Sequence, residues 1–165
     1  MSTKLANRKA AYEGGIGLPL AEQPFLKGIE PRFIAELADC AFTTQFEADT
    51  YICKEGDPAD RFYILRGGQV ALEVHTVGGQ TRTIQTLYEW EALGWSWLFA
   101  PYRWHFDVRT LTPVEAIAFD ARCLRNKCEQ NHDLGYELMR RFAQVLIERL
   151  QATRFQMMDV YRPGT

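Results

Sequence analysis

All four tryptophans of this chain lie between Trp90 and Trp104, with Phe99, Tyr102 and Phe106 set among or beside them. Large rings carry much apolar area with a polar edge, so a cluster this dense either plugs a core or lines a pocket. The flanking segments are short, rich in β-formers and broken by Gly and Pro turns, which is the pattern of β-strands. The chain is therefore expected to build a small β-barrel around Leu93 to Val108. What that segment holds then decides the function.

A length of 165 residues supports one domain with one substantial core. The net charge of −2 offers no basic field for nucleic acid or an anionic membrane. No apolar run approaches the ~20 residues that span a bilayer, and the N-terminus lacks the apolar stretch of a signal peptide. A cytoplasmic protein without a membrane partner is expected. Cys40, Cys53, Cys123 and Cys128 fit that compartment as reduced thiols. Cys123 and Cys128 have no second pair, so no zinc site is expected. No nucleophile–base spacing, phosphate loop or metal cluster is visible, so neither catalytic nor metal-binding residues are assigned and no enzyme is expected.

Residues 1–22 are polar and then Gly-rich, and are read as a mobile arm; 23–165 form the domain. Pro24 to Gly28 suits a short helical turn. Pro31 opens a helix to about Cys40, with Phe33, Ile34, Leu37 and Ala38 at helical spacing. A β-roll is expected over about 41–120. Its strands are Phe42–Phe46, Thr50–Lys54, Arg61–Arg66, Gln69–Thr76, Thr81–Leu87, Phe106–Leu111 and Val114–Phe119. Gly78-Gly79 marks a two-residue hairpin turn. Helices follow over about 121–160. Asp120 caps the first, Asn131 or Asp133 opens a long second one to about Val160, and Pro163-Gly164 ends it.

The long helix has two apolar faces. Leu134, Leu138, Phe142 and Val145 suit packing on the roll. Tyr136, Met139, Ala143, Leu146, Leu150, Thr153, Met157 and Val160 alternate spacings of three and four, as in the seam of a two-stranded coiled coil. The alternative is that one domain covers both faces. The unbroken heptad favours a homodimer with Met139, Ala143, Leu146, Leu150, Thr153 and Met157 at its interface.

The run Cys53-Lys54-Glu55-Gly56-Asp57-Pro58-Ala59-Asp60-Arg61-Phe62-Tyr63-Ile64-Leu65-Arg66-Gly67-Gly68-Gln69-Val70 resembles the front half of the cyclic-nucleotide-binding domain of catabolite-activator (Crp/Fnr) type. The resemblance extends from about Pro24 to Val160. It implies a mainly β fold with flanking helices: an antiparallel, jelly-roll-like β-roll of eight or so strands and a long C-terminal dimerisation helix. It also implies a ligand cassette running from a Gly-Glu pair through a short helical turn to an Arg with small neighbours. There, the Glu accepts from a ribose hydroxyl while backbone N–H groups and the Arg meet a cyclic phosphate. Gly94 matches that pattern, but Trp95 replaces the Glu, Trp104 falls at the Arg position with Arg103 one residue early, and His105 replaces the small neighbour. Cyclic AMP is therefore not expected to bind in the usual way. Tyr161 to Thr165 are too few for the helix-turn-helix that the family's transcription factors carry, so this chain alone is not expected to bind DNA.

The candidate ligand-binding residues are Gly94, Trp95, Ser96, Trp97, Leu98, Arg103, Trp104 and His105, with Thr153 from the helix. Arg103 either meets an anion or lies over an indole as a cation–π pair. His105 either contacts ligand or is a satisfied structural residue. The expected function is a small-molecule sensor that binds a small anionic or cyclic-nucleotide-like ligand and signals through the helix dimer to a downstream protein partner. The alternative is a ligand-free module, plugged by its own tryptophans, that serves dimerisation or interaction.

Overall fold

A computed structural model of the chain describes Leu20 to Val160. The expected arm at 1–22 lies outside the described residues except for its last three, of which Leu20 is already fully buried. The helix end expected at Pro163-Gly164 also lies outside them.

A 3-10 turn (Pro24–Leu26) and α1 (Pro31–Ala38) precede the strands. Eight strands follow: β1 (Ala41–Phe46), β2 (Tyr51–Cys53), β3 (Arg61–Gly67), β4 (Val70–His75), β5 (Thr81–Leu87), β6 (Ala92–Leu93), β7 (Asp107–Thr110) and β8 (Val114–Asp120). They form two four-stranded antiparallel sheets, β1-β8-β3-β6 and β2-β7-β4-β5. The fold is mainly β with flanking helices, as the sequence implies. The expected strands all form, within a residue or so of their expected ends. The two-residue β6 and a 3-10 turn at Ser96–Leu98 are additions that lie inside the aromatic segment.

The turn chemistry explains the register. Gly78 and Gly79 both take positive φ, which side chains resist, and Thr76 and Gln80 close the hairpin beneath them, so the loop is the three residues Val77 to Gly79 rather than the expected two. Opposite Leu72 and Glu73 the partner strand β5 carries a bulge at Ile84, while β4 keeps regular register with β7. Glu73, on β4, is buried under Arg109 of β7, which pairs with it at 2.6 Å.

The core is a stack of rings between the roll and the last helix. Phe62 lies flat on Phe119 at 4.3 Å and on Trp97 at 5.3 Å. Phe142 meets Phe62 and Trp97 edge-on at 5.2 and 5.7 Å, and Phe25 packs on Phe142 at 4.9 Å. Asp120 caps α2 (Ala121–Gln130) by accepting from the Cys123 amide at 2.8 Å, and α3 (His132–Val160) follows at once. Leu134, Leu138 and Phe142 of α3 are buried against the roll and Val145 is half-buried. On the opposite face Tyr136, Met139, Leu150, Met157 and Val160 are exposed and Leu146 is half-buried.

The expectation of four reduced thiols is corrected. Cys40 and Cys123 are joined by a disulfide with their Cα atoms 5.6 Å apart. The physical reason is register: β1 pairs with β8 so that Ala41 faces Phe119, and the Asp120 amide donates to the Cys40 carbonyl at 2.9 Å. That brings Cys40 to the first turn of α2. A sequence separation of 83 hides the pairing from any local pattern. Cys53 and Cys128 are free, and burial pushes both thiols up from their ordinary value. Among the described residues no helix is long and apolar enough to cross a membrane.

Candidate functional site

The aromatic segment is stitched to the Glu55–Pro58 turn. The Gly56 amide donates to the Trp104 carbonyl at 2.8 Å, Trp104 returns a bond to the Asp57 carbonyl at 2.9 Å, and Ala59 donates to the Tyr102 carbonyl at 2.7 Å. Asp57 holds its own turn by accepting from the Lys54 amide at 3.0 Å. Asp107 accepts from the Glu55 amide at 2.8 Å and from His75 at 2.7 Å. Burial pushes the Asp107 carboxyl up, but that amide and His75 outweigh it and hold it below the usual carboxylate range.

The structure sends the expected ligand residues to several different places. Gly94, at φ +97°, lies against Trp104; a Cβ there would come within 2.5 Å of the indole. Trp97 and Trp104 are buried, at 1% and 4% exposure, and so fill the core. Around them, Ser96 Oγ bonds His105 Nδ1 at 3.0 Å, and His105 stacks on Trp95 at 4.8 Å. Arg103 is exposed and donates to the Gly56 carbonyl at 3.1 Å. Leu98 joins Phe99 in an apolar groove of about 370 Å³ with Tyr136, Met139, Phe142, Ala143 and Leu146 of α3. Thr153 stands apart on exposed helix and returns its hydroxyl to the Arg149 carbonyl at 2.9 Å.

A cleft of about 470 Å³ opens between α3 and the edge formed by β5 and β6. Gln85, Trp90, Gln144 and Arg149 are among its lining residues, together with the carboxylates Glu91 and Glu148. Arg149 donates to the Ala92 carbonyl and forms no ion pair among the described residues. Burial lowers its pKa, while Glu91 and Glu148 stand near enough only to offset part of that. No motif in the sequence singles out Arg149. Its burial depends on how α3 crosses the sheet edge, which no local spacing reports. Arg125 of α2 was also missed: it donates to the Trp97 carbonyl at 2.8 Å and lies 4.2 Å over the Tyr102 ring. Among the described residues no group of three or more His, Cys, Asp or Glu could hold a metal ion.

This architecture is shared with known proteins. A solved putative cyclic nucleotide-binding protein from Geobacter metallireducens GS-15 is 25% identical, with a TM-score of 0.74 over 81% of this chain and 97% of that one. A cyclic nucleotide-binding domain from Methylobacillus flagellatus KT superposes with a TM-score of 0.79 over 92% of this chain and 89% of that one, at 14% identity, which speaks for the fold alone. The CRP-like cAMP-activated global transcriptional regulator of Mycobacterium tuberculosis (strain ATCC 25618 / H37Rv) is 26% identical over 141 residues, or 86% of this chain. The chain spans only 61% of that regulator's length. The profile of the cyclic nucleotide-binding domain matches residues 43–131, from β1 to the end of α2, and the chain belongs to that family.

Proposed function

We propose that the chain is a small-molecule-sensing regulatory domain whose ligand enters the cleft between α3 and the β5–β6 edge and whose signal leaves through a homodimer of α3. The observation that supports this most is the half-buried Arg149 guanidinium, which forms no ion pair among the described residues. A half-buried cation whose burial Glu91 and Glu148 offset only in part favours a further anion beside it. The Trp90 ring and the Gln85 amide add a flat face and a neutral donor, while the Gln144 amide donates to Glu148 at 2.9 Å. That set suits a small carboxylate or phosphate joined to a planar body. The cassette residues Gly94, Trp95, Ser96, Trp97, Leu98, Trp104 and His105 do not line that cleft: Trp97 and Trp104 fill the core, Leu98 lines the separate groove on α3, and Arg103 braces the Glu55–Pro58 turn. Dimerisation through Met139, Ala143, Leu146, Leu150, Thr153 and Met157 and a downstream protein partner belong to the same reading.

One observation favours the ligand-free alternative: the Trp104 ring already occupies the space over Gly94. A thermal-shift screen decides between them. Cyclic AMP, cyclic GMP and small aromatic carboxylates and phosphates are tested on wild type, Arg149→Met and Arg103→Ala. A ligand at a hundred times its dissociation constant stabilises by about 2.7 kcal/mol. Anionic compounds are expected to shift wild type and Arg103→Ala but not Arg149→Met. Without the ribose-binding carboxylate, cyclic AMP and cyclic GMP are expected to bind roughly ten- to a hundredfold more weakly than in a full cassette. If no compound shifts the wild type, the plugged module replaces the sensor.

A further inference from the structure

The Cys40–Cys123 disulfide forms part of the wall of a surface cavity of about 580 Å³, beside Phe42, Arg122 and Asn126. Cys123 is half-buried and Cys40 is buried, so a thiol entering the cavity meets Cys123 first. The bond fixes the first turn of α2 to the α1–β1 junction. Two residues further along that turn, Arg125 holds the 3-10 turn of the aromatic segment by the Trp97 carbonyl and covers the Tyr102 ring. Tyr102 has φ +54°, a left-handed conformation that a bulky side chain keeps only when its surroundings impose it. A continuous set of contacts therefore runs from the disulfide, through Arg125, to the segment 96–104.

We propose that Cys40–Cys123 is a thiol–disulfide exchange site whose redox state sets the mobility of the 96–104 segment. The co-reactant is a dithiol. Its thiolate attacks Cys123 Sγ, forming a mixed disulfide, and the Cys40–Cys123 bond breaks with Cys40 leaving as a thiolate that takes a proton from solvent. The second thiol of the reagent, losing its proton to solvent, attacks its own mixed-disulfide sulfur, and Cys123 leaves as a thiolate that is protonated in turn. Two electrons pass from the dithiol to the cystine, and the dithiol ends as its own disulfide. With the bond open, the α2 turn keeps only non-covalent ties, namely the Asp120 cap, the Ala121 amide on the Asp60 carbonyl at 3.0 Å and Lys127 on Asp39 at 2.9 Å, and the hold of Arg125 on the segment loosens. The regulatory consequence rests on the sensor reading above; the exchange and the loosening do not.

The test treats native Cys128→Ser protein with dithiothreitol, labels with iodoacetamide, and reads amide hydrogen exchange at 95–104 with no ligand present. Labelling of Cys40 and Cys123 in folded protein is expected, with exchange in the segment faster by roughly tenfold while β3 and β8 keep their protection. In Arg125→Ala the segment should already exchange fast with the disulfide intact, and reduction should add little, since the two changes act on one set of contacts. The proposal falls if the cysteines label only on global unfolding, if reduction leaves the segment's exchange unchanged, or if Arg125→Ala responds in full. A Cys40→Ser/Cys123→Ser double variant should match the reduced protein; should it fail to fold, dithiothreitol on the Cys128→Ser protein still decides. Absence of any ligand would end the sensor reading and leave this result standing.

Discussion

The two halves of α3 are built from similarly apolar sequence and meet opposite fates. From Leu134 to Phe142 every fourth residue is buried in the roll, and Phe142 touches rings from three other elements. From Leu150 to Val160 every residue is exposed, including Leu150, Phe155, Met157, Met158 and Val160. The rise of 1.5 Å per residue carries this half past the last strand it could lean on. Helices shorter than ~12–15 residues are marginal in water, so most helix stability in proteins comes from packing an apolar face. The first half draws its order from the roll. The second needs another source, and on the reading proposed above a two-fold copy of the same seam supplies it.

The largest expected effect tests the packed half. Phe142→Ala leaves a hole among Phe25, Phe62 and Trp97 and is expected to cost about 3–5 kcal/mol, read as a fall in the denaturant midpoint. A loss near that of an exposed site would erase the contrast. Next, Leu150→Glu should leave the domain folded and strip it of self-association, because the contact would bury an unpaired carboxylate. Light scattering that finds wild type monomeric at micromolar concentration breaks the comparison from the other side.

A change in the roll, far from the seam, sharpens it. Asp107→Asn removes charge-assisted bonds from the Glu55 amide and His75 and is expected to cost about 1–3 kcal/mol without altering association. Because the folded value of Asp107 is depressed, its contribution is present above the unfolded value of about 3.9 and is lost as pH falls through the lower folded value. The gap between wild type and Asp107→Asn should therefore close in acid; a constant gap would mean that the charge plays no part. The smallest effect belongs to Phe155→Ser, which lies outside the heptad seam. It should change stability by less than about 0.5 kcal/mol and leave the dimer intact, while a large loss of association would move the interface off the heptad.

Strands and helices were legible because their signals are local. Gly78-Gly79 marks a hairpin whatever surrounds it, and Asp120 followed by an apolar period marks a helix start. The aromatic segment was legible as important but not as arranged. The sequence allowed pocket or plug; the structure sends Trp97 and Trp104 into the core, lays Trp95 on His105, and leaves Trp90 at the cleft. That sorting depends on where β6 and the 3-10 turn aim each ring, and neither element is long enough to show a period. The burial of Glu73 was hidden because its cover, Arg109, comes from a strand distant in sequence, and the disulfide by strand pairing. Arg149 and Arg125 were hidden by the angles at which their helices cross the roll, so the site depended more than the fold on contacts distant in sequence.

Leu98 and Phe99 share one groove with Met139, Ala143 and Leu146, so the end of the aromatic segment and the helix seam form a single surface. On the sensor reading this makes affinity a function of protein concentration. By linkage, a compound that tightens dimerisation by some factor must itself bind the dimer tighter by that factor per dimer. Titrations run well below and well above the dimerisation constant should then return two different dissociation constants, whose ratio measures the communication between ring cluster and helix without a single substitution.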